Sequence, residues 1–129
     1  MKNQDPNHTI KVIIADDHVL FLQGVKTALS VKKDVELIAE ADNGMQRLNL
    51  LKHMQPDVIF LDIKMPLMDG IATLPEIRKL YPQAKVIILS MHNDHSMISK
   101  LMEIGANSYV TKDYNSCNVY DAIKTWYEK

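Results

Sequence analysis

The stretch Gln55-Pro56-Asp57-Val58-Ile59-Phe60-Leu61-Asp62 decides how the chain must be read. A proline-containing turn leads into four successive apolar residues, which run straight into an acid. An alternating pattern would mark a strand with one wet face. An unbroken short apolar run fits a strand covered on both faces, as inside a parallel sheet. The same reading extends outward to Ile10-Lys11-Val12-Ile13-Ile14-Ala15 and to Val86-Ile87-Ile88-Leu89. Val35-Glu36-Leu37-Ile38-Ala39 and Ser108-Tyr109-Val110 are strand-like too, but Glu36 and Ser108 suit the two edges of a sheet.

Between these runs the period becomes helical. Leu22, Val25 and Leu29 form one stripe, Met45, Leu48 and Leu51 a second, and Ile98, Leu101 and Met102 another. Val119, Ala122, Ile123 and Trp126 repeat at i, i+3, i+4 and i+7, the clearest stripe in the chain. Breakers fall at the expected connections: Asn43-Gly44, Gln55-Pro56-Asp57, Tyr81-Pro82 and Gly105. Pro75 would break a helix interior, so the helix that contains it is expected to start near it, within its first turn. Strand–helix units of this length imply right-handed crossovers. The fold class is therefore α/β: a doubly wound, five-stranded parallel sheet of order 2-1-3-4-5. One domain is expected over residues 9–129, preceded by a polar, mobile tail over 1–8.

With 129 residues, the chain is long enough to hold a core without disulfides. A net charge of −1 gives no bulk-charge reason to expect nucleic-acid or acidic-membrane binding by this chain. No apolar run is long enough to cross a bilayer, and the polar start lacks a secretory signal's apolar stretch. The lone Cys117 excludes an internal disulfide and fits a reducing compartment, so the expected location is the cytoplasm. His18, His92 and His95 have no spacing that supports a zinc site.

Chemistry gathers at the carboxyl ends of the strands. The first is followed by Asp16-Asp17, the third by Asp62, the fourth by Ser90 and the fifth by Lys112. Ligands of open α/β sheets bind at that edge, near the point where strand order reverses, here between strands 1 and 3. A lone Asp after a strand is most often a turn or cap residue, a lone Ser likewise, and a lone Lys a solvated charge. Four of five strands ending in groups useful to one reaction changes that weighting. Three convergent carboxylates need a cation, and hard oxygen donors favour Mg²⁺ or Mn²⁺. Such an ion also neutralises charge during phosphoryl transfer, with Lys112 a second cation and Ser90 a hydroxyl donor. A carboxylate is a competent nucleophile in that chemistry.

These residues resemble the receiver domain of bacterial two-component response regulators. The resemblance runs from about Ile10 to Trp126. It is carried by Val12-Ile13-Ile14-Ala15-Asp16-Asp17-His18, by the run from Phe60-Leu61-Asp62-Ile63-Lys64-Met65-Pro66 through Leu67-Met68-Asp69-Gly70, by Val86-Ile87-Ile88-Leu89-Ser90, and by Gly105-Ala106-Asn107-Ser108-Tyr109-Val110-Thr111-Lys112. It implies that Asp62 accepts phosphate from a histidine kinase or a small phosphodonor. Asp17 and Asp62 would ligate Mg²⁺ directly, joined by the backbone carbonyl of Lys64, with Asp16 acting through a water. Ser90 and Lys112 would contact the phosphoryl group, and Tyr109 would be the switch aromatic. The family is not an enzyme class in the usual sense, since it catalyses only its own phosphorylation and dephosphorylation.

The segment Ala15-Asp16-Asp17-His18-Val19-Leu20-Phe21, followed by Gly24-Val25, is similar to the LuxR-type branch. That branch usually carries a C-terminal helix-turn-helix DNA-binding domain, so the resemblance implies transcriptional control through a domain outside these residues. It also allows a homodimer on phosphorylation. Ser90 replaces the commoner threonine but keeps the hydroxyl. Asp113 stands where many relatives have proline after the lysine, often with a cis bond. Such a bond to a non-proline residue costs about 3 kcal/mol, which makes the Lys112–Asp113 geometry a point of departure.

Three other readings compete. An aspartate-nucleophile phosphatase of the haloacid-dehalogenase kind places its nucleophile after strand 1 in a spaced Asp-x-Asp pattern, whereas Asp16 and Asp17 are adjacent. A flavodoxin-like mononucleotide binder needs a Ser/Thr/Gly-rich phosphate loop where this chain has two acids. A degenerate receiver acting as a phosphorylation-independent module would lack key residues that are present here.

Overall fold

In a computed structural model, residues 9–16, 18–41, 55–62, 70–90, 95–111 and 117–127 are described. In chain order they form β1 (Ile10–Ala15), α1 (Val19–Ser30), β2 (Val35–Ala41), β3 (Val58–Asp62), α2 (Gly70–Leu80), β4 (Lys85–Ser90), α3 (His95–Ile104), β5 (Ser108–Thr111) and α4 (Cys117–Tyr127). The expected helix through Met45, Leu48 and Leu51, and the Asn43-Gly44 connection, lie outside the described residues.

All strand pairs are parallel and the sheet order is β2-β1-β3-β4-β5, as the apolar runs require. Every residue of β3 is buried, and in β4 all but Lys85, because helices cover both faces. One core layer joins Ile13, Ile59, Leu61 and Ile88 to Leu74 and Ile77 of α2 and Leu101 of α3. The other joins Val12, Ile14, Phe60 and Leu89 to Leu22, Val25 and Leu29 of α1 and Val119 and Ile123 of α4. Each fully buried aliphatic or aromatic side chain in these layers contributes roughly 1.5–3 kcal/mol. The amino ends of the central strands are tied by Asp57. Its carboxylate accepts the Lys11 N–H at 2.9 Å, its own N–H donates to the Lys11 carbonyl at 2.7 Å, and its carbonyl accepts the Lys85 N–H at 2.9 Å. That alignment sets which residues arrive together at the other edge.

Two local expectations are corrected. Pro75 does not start its helix; α2 begins at Gly70 and carries Pro75 in its second turn. The ring is tolerated on the outer side of the helix, since Pro75 is exposed while Leu74 and Ile77 face the core. Met102 was grouped with Ile98 and Leu101, yet it is 37% exposed, at the margin of the stripe. Gly105 does end α3, at a φ of 140°. Among the described residues, no helix is long and apolar enough to cross a membrane.

Candidate functional site at the carboxyl edge of the sheet

β1 and β3 are neighbours, with Ala15 paired to Leu61. Asp16 and Asp62, the next residues on each strand, therefore arrive side by side, and both are buried, at 0% and 4% exposure. Asp16 does part of the turn work anticipated for a lone acid. Its Oδ1 accepts the His18 N–H at 2.7 Å, an Asx-type turn that steers the chain from β1 into α1. That role orients the carboxylate without removing it from the edge.

Ser90 ends β4 one place beyond Leu89, the register partner of Asp62, and is 2% exposed. Ser90 is itself paired with Thr111, the last residue of β5. Lys112 follows directly, but its placement lies outside the described residues, as do those of Asp17, Lys64 and the Lys112–Asp113 bond. Tyr109 pairs with Ile88, two residues before Ser90, and so shares the sheet face of Ser90. It is 47% exposed.

The structure thus brings Asp16, Asp62 and Ser90 to one edge at the strand-order reversal. Ionised carboxylates buried side by side are costly unless a cation compensates them. Their oxygens are hard donors of the kind that fit Mg²⁺ or Mn²⁺, so the described part of the set is chemically suited to such an ion.

A family model for the response regulator receiver domain matches residues 12–124. The chain belongs to the response regulator receiver family. The receiver is 33% identical over 124 residues to the transcriptional regulatory protein DegU of Brevibacillus brevis, covering 96% of this chain and 52% of DegU. It thus spans about half the length of the curated relatives it matches. It superposes on the signal receiver domain of a NarL response regulator from Mycobacterium tuberculosis with a TM-score of 0.83 and 31% identity, covering 94% of this chain and 98% of that one. It likewise matches the isolated receiver domain of RcsB from Salmonella enterica serovar Typhimurium, solved with the phosphomimetic BeF₃⁻. There the TM-score is 0.82 and the identity 25%, with 94% of this chain and 90% of that one covered. The homologous regulators are of the LuxR type.

Two polar networks of this receiver were not anticipated. Asp34 accepts hydrogen bonds from Tyr120 and Lys124, 86 and 90 positions away, and Arg78 reaches Gly105 and Asn107. No local pattern announces partners so distant in sequence.

Proposed function

We propose that this receiver takes a phosphoryl group on Asp62 from a histidine kinase or a small phosphodonor and thereby switches a signalling surface. The observation that carries the reading is the pair of buried carboxylates, Asp16 and Asp62, at adjacent strand ends beside the buried Ser90 hydroxyl. A Mg²⁺ or Mn²⁺ ion held by Asp17, Asp62, the Lys64 carbonyl and, through water, Asp16 would supply charge neutralisation for the carboxylates and the incoming group. A carboxylate oxygen of Asp62 attacks phosphorus, the O–P bond forms, and the donor N–P bond breaks with its electron pair returning to the histidine nitrogen. The Ser90 hydroxyl donates to a phosphoryl oxygen, and Lys112 balances the added charge.

The acyl phosphate adds about 1.5–2 negative charges beside Ser90. Ser90 drawn toward it, with Tyr109 following on the same face, shifts the population between two packings of α3 and β5. Transcriptional control through a DNA-binding domain, homodimerisation on phosphorylation, and action in the cytoplasm complete the reading. Transcriptional control is the part that the relatives support, since they are transcriptional regulatory proteins of the LuxR type.

The test is the intact mass of the protein with Mg²⁺ and acetyl phosphate, alongside Asp62→Asn. A gain of one phosphate that needs both Mg²⁺ and Asp62 is the expected result. Labelling retained in Asp62→Asn would count against Asp62, and no labelling with any donor would favour a phosphorylation-independent module.

A further inference from the structure

Arg78 lies in the last turn of α2, partly buried. Its Nη1–H donates to the Ala84 carbonyl at 2.7 Å, and Nη2–H donates to the Gly105 carbonyl and to Asn107 Oδ1, both at 2.6 Å. Asn107 Oδ1 also accepts the Val86 N–H at 2.9 Å, and the Asn107 N–H donates to the Val86 carbonyl at 2.8 Å. One planar fork therefore joins the end of α2, the start of β4, the end of α3 and the approach to β5. Gly105 reverses the chain there at a φ of 140°, and the N–H groups of Gly105 and Ala106 both return to the Leu101 carbonyl, at 3.1 and 3.0 Å. Leu101 and Ala106 are buried. Burial lowers the Arg78 pKa from its ordinary value, yet arginine stays charged.

All of this sits toward the amino edge of the sheet: along the chain Ala84 is six residues, or about 20 Å, from Ser90, and Val86 four residues, or about 13 Å. The opposite end of α3 differs: His95 and Ser96 of its first turn are exposed. Sliding α3 along its axis would break the Arg78–Gly105 bond and strain the bonds around Asn107 together. Tilting it about its base would break none of them.

We propose that the Arg78–Gly105–Asn107 cluster is the fixed pivot of α3 and β5. Repacking driven at Ser90 and Tyr109 then swings the carboxyl-edge ends of both elements about a base that stays in place. The proposal rests on the switching reading above and deepens it, with Arg78 as a positioning residue.

The experiment is residue-resolved hydrogen exchange on the full chain and on Arg78→Lys and Arg78→Met, each with and without Mg²⁺ and BeF₃⁻. Arg78→Lys keeps the charge but loses the fork, which guards against a Met variant that fails to fold. In the free protein, Arg78→Lys is expected to speed exchange at Gly105, Ala106, Asn107 and Val86 by about tenfold while leaving Leu22–Leu29 of α1 unchanged. With BeF₃⁻, wild-type protection is expected to change over 95–98 and 110–111 but not over 105–107, and in Arg78→Lys the change spreads into 105–107. Unaltered exchange at the base in Arg78→Lys would overturn the proposal, as would a wild-type base that responds as much as the tips. Phosphate uptake by mass is expected to survive in Arg78→Lys. If wild-type protein takes neither phosphate nor BeF₃⁻, the phosphoacceptor reading fails, and the free-state comparison alone decides the pivot.

Discussion

Replacing Asp34 by Asn tests how firmly the last helix is held. Asp34, just before β2, accepts the Lys124 ammonium at 2.6 Å and the Tyr120 hydroxyl at 2.9 and 3.1 Å, with Lys32 Nζ 4.6 Å from the centroid of the Tyr120 ring. The hydrogen bond from Lys124 is the chief cause holding the Asp34 pKa below its ordinary value, followed on that side by the Tyr120 hydroxyl, while burial opposes both. Hydrogen bonds to charged groups contribute about 1.5–3 kcal/mol, but the Lys124 and Asp34 side chains are 32% and 38% exposed. Solvent screening therefore reduces the expected loss in Asp34→Asn to about 1 kcal/mol. For a chain of this length that is roughly 4 °C in Tm. A depressed carboxylate stabilises the fold above its unfolded pKa and stops doing so as pH falls through the folded one. The deficit of Asp34→Asn should thus be constant from about pH 5 to 8 and shrink below about pH 4. Urea titrations followed by Trp126, the sole tryptophan, which packs against the α1–α4 core layer, measure it directly. A deficit unchanged at low pH, or none at pH 7, would refute the argument.

Other substitutions probe the backbone and the site. Gly105→Ala should cost about 1–2 kcal/mol by denaturant titration. The penalty is backbone strain at a φ of 140°, since the added Cβ would meet its nearest neighbour, Arg78 Nε, at an ordinary 3.7 Å. Pro75→Ala should raise the unfolding free energy from urea titration by about 1–2 kcal/mol, through the helix hydrogen bond that proline cannot donate. Asp17→Ala should weaken Mg²⁺ binding and phosphate uptake together; unchanged affinity in a metal titration would mean the pocket is assembled otherwise. Ile123→Ala, in a fully buried position, should cost about 2–5 kcal/mol in the same denaturant assay.

The nearly continuous apolar runs of β1, β3 and β4, and the polar residues in β2 and β5, made the sheet order legible in the sequence. Burial on two faces forbids alternation, and an edge strand tolerates Glu36 or Ser108. The stripes of α1 and α4 were legible for the same reason, since helix period and buried face must coincide. Pro75 was misplaced because position within a helix follows from where the preceding connection ends, which proline's own preference does not dictate.

Sequence by itself determined the composition of the edge: acids just past β1 and at the end of β3, a hydroxyl at the end of β4, a lysine after the β5 run. That followed because the apolar runs stop at these residues, which marks where each strand reaches the edge. Tertiary structure alone decided that Asp16 both shapes a turn and lies buried beside Asp62, since pairing of Ala15 with Leu61 is a register property absent from either strand. It alone decided the partners of Asp34 and Arg78 as well. A carboxylate or guanidinium bonds whatever the packed helices and strands bring within about 3 Å, and that neighbourhood is made by the whole fold.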